Sequence, residues 1–252
     1  MTLVRRLFLA AISISLAACQ MTPAAVTRTE GGFSTKELVA MPFEDVQRLH
    51  GEGNILATVE LGVRYAEGRG VEKDLKQAIG LFEQGVEAGE PSAMFAIGVA
   101  FDRGEGLPRD EAAAVHWYQR ASDLGFMEAH LWLAHMISSG RGGISPSWEA
   151  AAPIYLKAAL AGHTDGQYMM GQMYTNGEGL PQDFEKAAEW YRRSSSVVPN
   201  PKSQYNLSAL IRDGKVKWRR GDPGPRPGSK QKPTPVDPDA KPEPPAYTLS
   251  VK

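Results

Sequence analysis

Pairs of apolar residues four apart recur along the chain, and a glycine-x-glycine turn follows each pair. The pairs are Leu61 and Tyr65, Ile97 and Phe101, Leu133 and Ile137, and Met170 and Tyr174. The turns are Gly68-x-Gly70, Gly104-x-Gly106, Gly140-x-Gly142 and Gly177-x-Gly179. Residues four apart share one face of a helix, so each pair predicts the buried stripe of a first helix. The first glycine falls where a helix ends in a left-handed residue. Six residues after each first glycine come Asp74, Asp110 and Asp183, and Ser147 follows one extra glycine, Gly143. These are N-caps for a second helix. That helix carries Ala78, Ala114, Ala151 and Ala187, then Leu81-Phe82, Trp117-Tyr118, Ile154-Tyr155 and Trp190-Tyr191. Small residues at Gly85, Ala121, Ala158 and Ser194 let it nest against its neighbours, and Gly89, Gly125 and Gly162 close the first three units. Gly62, Gly98 and Gly171 lie inside the first helices, where glycine costs about 1 kcal/mol against alanine. A small residue there fits if another helix crosses close by.

Four such units occupy about 57–92, 93–128, 129–165 and 166–198. Residues 203–214 match the first helix of a fifth, with Leu207 and Ile211 at the paired positions, and about 42–50 reads as a capping helix. The consensus A-x-x-x-L-G-x-x-Y-x-x-G-x-G-V-x-x-D-x-x-x-A-x-x-W-Y-x-x-A-x-x-x-G resembles the Sel-1-like repeat, a relative of the tetratricopeptide repeat. The resemblance implies an all-α, right-handed superhelical solenoid of antiparallel helix pairs over 37–214. Ala134 and Ser208 stand where the pattern has glycine, and Val198 replaces the last closing glycine.

Composition divides the 252 residues into three parts. Hydrophobic residues make up 42%, enough for a core, and the net charge is −1. Within that balance, 19–213 holds 17 basic against 25 acidic groups, whereas 214–252 holds nine basic and four acidic. Residues 1–18 have a basic start (Arg5, Arg6), an apolar middle and a small-residue end, which is the layout of a secretory signal. Leu16-Ala17-Ala18-Cys19 resembles the lipobox of bacterial lipoproteins, which implies cleavage before Cys19 and lipidation of its thiol. Gln20 after that cysteine points to the outer membrane, and the location expected is there, facing the periplasm. Arg5-Arg6-Leu7-Phe8-Leu9 also partly resembles a twin-arginine export signal. Residues 19–36 read as a tether, and the basic, proline-rich 215–252 as a disordered tail able to lie along peptidoglycan or another anionic surface.

Chemistry is scarce. The metalloprotease, P-loop, dinucleotide-binding and nucleophile-elbow strings do not occur. His130 and His135 are five apart and splay on their helix, so no metal site is expected from them. Acidic groups such as Asp102, Glu105, Asp183 and Glu185 are explained as caps and solvated turns. No cofactor, no metal and no catalysis are expected, and the acidic body argues against nucleic acid as a partner. Some cysteine-rich relatives are proposed to bind penicillin-like compounds, but this chain has one cysteine.

One surface stands out as a candidate binding site. At about 100° per residue, the third, seventh and tenth positions of each first helix lie away from the paired stripe. In tetratricopeptide-like arrays that side lines the concave groove. Position three reads Val59, Phe95, Leu131, Tyr168 and Tyr205, and position seven includes His135 and Gln172. This ladder reads either as a recognition strip for an envelope protein or as packing against the next helix pair. The function expected is that of a non-catalytic, lipid-anchored interaction scaffold. Two alternatives remain: a part of an exopolysaccharide secretion or assembly complex, as in some similar lipoproteins, and a β-lactam-binding or hydrolytic protein.

Overall fold

The computed structural model describes residues 33–196 and 199–223. Among them there are eleven α-helices and no strand: α1 (Thr35–Ala40), α2 (Phe43–Gly51), α3 (Ile55–Glu67), α4 (Leu75–Glu87), α5 (Pro91–Arg103), α6 (Glu111–Asp123), α7 (Met127–Ser139), α8 (Trp148–Leu160), α9 (Thr164–Asn176), α10 (Phe184–Ser194) and α11 (Pro201–Arg212). The signal segment, Cys19 and the tail from 224 lie outside the described residues. From Phe43 onward each helix packs mainly on those just before and after it, as in a stacked array of helix pairs.

The expected punctuation is where the sequence puts it. Gly68, Gly104, Gly140 and Gly177 each cap a first helix, and Gly104 sits at φ 72°. Asp74, Asp110, Ser147 and Asp183 accept the backbone N–H three residues on, at 3.0, 3.0, 3.1 and 3.0 Å. Their own N–H groups donate to the carbonyls of Tyr65, Phe101, Ile137 and Tyr174, which fixes the angle between the two helices of every unit. The extra Gly143 leaves this bond intact, because a short 3-10 turn at Arg141–Gly143 absorbs it.

The glycine inside each first helix has a specific partner. A Cβ on Gly171 would lie 2.4 Å from the Tyr191 ring, and one on Gly98 would lie 2.7 Å from the Tyr118 ring. The aromatic residue of the second helix therefore rests directly on the first helix backbone. The second glycine of each turn serves the joint between units instead. A Cβ on Gly179 would stand 2.4 Å from the Trp148 carbonyl of the preceding unit.

Both ends differ from the expectation. The tether expected to run to residue 36 already contains the start of α1, whose Leu38 is fully buried. Arg64, itself buried, donates to the carbonyls of Leu38, Val39 and Met41 at 2.8, 3.3 and 2.8 Å. It thereby ties α1 to α3. At the other end the tail was expected to leave the fold at Lys215. Instead, residues 215–223 cover the half-unit α11. Val216 is buried with Leu207, Leu210 and Tyr191, and Trp218 packs on the same cluster. Asp222 pairs with Arg192 at 2.8 Å, and the Pro223 carbonyl accepts from Ser208. An unpaired first helix would leave an apolar face in water, and this segment takes the place of the absent second helix.

Candidate functional site

On the first-helix side the array is closed in its first three units and opens in its last two. Val59, Phe95 and Leu131 are 4, 8 and 4% exposed and belong to the core. The recognition reading therefore does not hold at these three positions. The cause is the joint to the next unit: Phe95 lies between Tyr118 and Phe126 of its own unit and Trp132 of the following one, with ring centroids 5.5, 5.3 and 6.4 Å away. Val59 sits against Gly85 at the same kind of joint. Tyr168, Gln172 and Tyr205 are half-buried, and so is His135. At position four, Trp132 covers Phe95, whereas the fifth helix brings the polar Asn206 to Tyr168.

The open part is built on a hydroxyl network. Tyr191 Oη is 3.1 Å from Thr175 Oγ1 and accepts from Asn206 Nδ2 at 3.3 Å. The Tyr168 and Tyr191 rings are 6.1 Å apart. Burial pushes the Tyr191 hydroxyl up to about 12 and raises that of Tyr168, so both remain neutral donors. A tyrosine hydroxyl faces a polar residue at the same place in two other units. Tyr155 Oη is 3.5 Å from Ser138 Oγ, and the Tyr118 hydroxyl is raised first by burial and then by the neighbouring Asp102 carboxylate. In the first unit Phe82 replaces the tyrosine and Ala66 replaces the polar partner. The loss of the hydroxyl and of its acceptor together leaves no unsatisfied group.

A second polar cluster bridges the second and third units, and sequence reasoning missed it. Arg141 donates to Asp102 and to Glu111 Oε1, the latter at 2.9 Å, and the Gly142 N–H donates to Glu111 Oε2 at 3.2 Å. The Arg141 hydrogen bond holds the Glu111 carboxyl down at about 2. Asp102, read from sequence as a solvated helix end, is in fact buried. His135 faces this cluster, and burial, then Arg141, push its pKa below the ordinary value.

The other histidines do not assemble a site. His130 is fully buried, and its Nδ1 meets the Phe126 carbonyl at 2.9 Å. Burial lowers its pKa. Among the described residues no three His, Cys, Asp or Glu side chains come together as a metal site. No helix among them is long and apolar enough to cross a membrane. Of the basic residues that open the tail, Lys215 lies over the Phe184 ring and Arg219 reaches Glu185 and Asp222, while Lys217 and Arg220 are exposed.

These shifts predict a pH response. A histidine whose folded pKa is depressed stabilises the fold above about 6.5 and loses that stability as pH falls. Glu111 adds a second loss as pH falls below its unfolded value of 4.5 toward 2. Thermal melts should be flat from neutral pH down to about 6.5 and then fall. His130→Gln with His135→Gln should flatten the first part of that fall; an unchanged slope would contradict the assignment.

The site has hydrogen-bonding amides and hydroxyls, and aromatic faces, on an open helical surface. Such a surface can bind a partner through these groups. The family model described as Sel1 repeat matches residues 55–90, 91–126, 128–163 and 164–196. Chitin synthase regulatory factor 1 of Schizosaccharomyces pombe is 31% identical over 135 residues, covering 53% of this chain and 29% of that protein. Chitin synthase regulator SKT5 of Malassezia restricta is 32% identical over 116 residues, 45% of this chain and 8% of that one. The chain thus spans less than a third of either relative. Among solved structures, c5321, a protective antigen of uropathogenic Escherichia coli with an SLR fold, is 32% identical with a TM-score of 0.64, covering 69% of this chain and 37% of that one. A Sel1 repeat protein from Oxalobacter formigenes has the same fold, with 24% identity, a TM-score of 0.57 and coverage of 64% and 65%. With four matched repeats over more than half of its length, the chain belongs to the Sel1-repeat family.

Proposed function

We propose that this protein is a non-catalytic scaffold of the bacterial envelope, anchored by lipid at Cys19 in the outer membrane and facing the periplasm. Its repeats would hold another envelope protein at the open end of the first-helix side. The observation that carries the reading is the change along position three: core at Val59, Phe95 and Leu131, but half-buried aromatic at Tyr168 and Tyr205. Both rings stay half-buried, whereas Phe95 lies under Trp132. Tyrosine offers a large apolar face with a polar tip, which suits a wet recognition surface. The curated relatives are named as a regulator and a regulatory factor of an enzyme, chitin synthase, which is consistent with a protein-interaction role. His135 lies beside the Arg141 cluster, at the closed end of the strip, and serves the fold rather than the partner.

Two arms test the proposal. Metabolic labelling with fatty acid should mark the wild-type chain and not Cys19→Ala, and absence of label on wild type removes the anchor. Crosslinked envelope fractions should yield a partner with wild type, and Gln172→Ala with Tyr205→Ala should lose it. Hot-spot truncations cost about 2 kcal/mol or more of binding. Thermal unfolding of the double variant should move only slightly. Retained capture, or early unfolding, contradicts the site.

A further inference from the structure

The outer faces of the second helices are polar in three units and apolar in one. In α8 the outward residues are Glu149, Ala150, Pro153, Leu156, Lys157 and Leu160, all exposed. Leu156 is 36% and Leu160 68% exposed. The repeat itself supplies the comparison. At the positions equivalent to Leu156 the other units carry Glu83, Gln119 and Arg192; at those equivalent to Leu160 they carry Glu87, Asp123 and Ser196. The fold therefore does not require leucine at either place. Leu124, 54% exposed, lies just past the same end of the preceding second helix α6.

The spacing and the charges say what fits this face. Residues 149, 153, 156 and 160 follow the four-three-four spacing of a helix that packs along another helix. The face is also complementary to itself. If two copies of α8 run antiparallel with a twofold axis at Pro153, Leu156 meets Ala150 of the second copy, Leu160 meets Pro146, and Lys157 meets Glu149. Pro146 is exposed, as are all the others. Glu149 already accepts from Ser147 at 3.2 Å, which holds it at the start of the helix. A twofold interface uses the same patch on both chains, and opposite charges at equal distances from the axis are what such a patch needs.

We infer that this outer face is a self-association surface, through which two copies of the chain pair by antiparallel α8 helices with Leu156, Leu160 and the Glu149–Lys157 pairs at the contact. The open side at Tyr168 and Tyr205 is left free in such a pair, so two partner sites would be presented per assembly. The inference does not rest on the partner-binding reading.

Sedimentation of the full chain in mild detergent tests it. Wild type should shift with concentration from one protomer mass to twice that mass. Leu156→Gln with Leu160→Asp installs the residues of the second unit, and should remain at one protomer mass with an unchanged unfolding midpoint. Glu149→Lys or Lys157→Glu alone should weaken pairing at least tenfold, and the two together should restore it. A wild-type chain that stays at one protomer mass over the whole concentration range would overturn the inference, and so would a dimer that survives the leucine replacements. So would charge reversals that fail to compensate. Binding of a monomeric wild type to lipid vesicles, lost in the leucine variant, would assign the face to a membrane instead and also overturn it.

Discussion

Phe95→Ala should unfold the protein at much lower urea, with a loss of about 3–5 kcal/mol, the usual cost of removing a buried phenylalanine. The ring fills the joint between the second and third units and touches Tyr118, Phe126 and Trp132. Its removal leaves three aromatic rings facing a void that helices of two units line, and neither unit can move in without shifting its turn. Aromatic pairs add about 0.5–1.5 kcal/mol each beyond the area they bury. Tyr205→Ala, at the same position of the fifth helix, should cost far less, because Tyr205 is only half-buried. The pair of variants separates the two readings of the ladder that sequence alone left open. Equal losses at the two positions would show that both are core.

Arg64→Met should be the second large effect, at about 3 kcal/mol. Arg64 is buried and donates to Glu60 at 2.9 Å as well as to the carbonyls of Leu38, in α1, and Met41, just after it. Removing one partner of a buried ion pair costs roughly 3–5 kcal/mol because it strands the other charge. Here Arg69 still reaches Glu60 at 2.8 Å, which places the loss at the low end. The carbonyls of Leu38 and Met41 would keep no donor from α3. Amide hydrogen exchange should therefore accelerate across α1 first, while α9–α11 keep their protection. Uniform acceleration through the chain would contradict this assignment, and so would a loss below about 1 kcal/mol, the worth of an exposed pair.

The repeat, its turns and its caps were legible because they rest on local chemistry. An aspartate that caps its own helix and a glycine at positive φ act within a few residues, so position in the sequence is enough. The small residue inside each first helix was legible as a close approach, and the structure names what approaches: the aromatic ring of the second helix. Burial at position three was not legible, because it depends on what the next unit lays over it. Trp132 covers Phe95, whereas Tyr205 stays half-buried. The register did carry a clue. Tyr118, Tyr155 and Tyr191 vary together with Asp102, Ser138 and Thr175, and Phe82 varies with Ala66. Comparing those columns across units would have marked the hydroxyl network. Neither closing segment was legible. Residues 215–223 lack any period, and their proline-rich continuation masks the buried Val216. At the other end, Arg64 sits in a helix where a charged residue reads as solvated.

Site-specific photocrosslinking tests the central claim, that the open end of the first-helix side holds a protein partner. A photoreactive residue in place of Gln172, in cells that carry the full chain, should give a discrete adduct with one envelope protein. The same residue in place of Gln84, exposed on the outer side of α4, should give none. The absence of any adduct from position 172, or the same adduct from both positions, would contradict it.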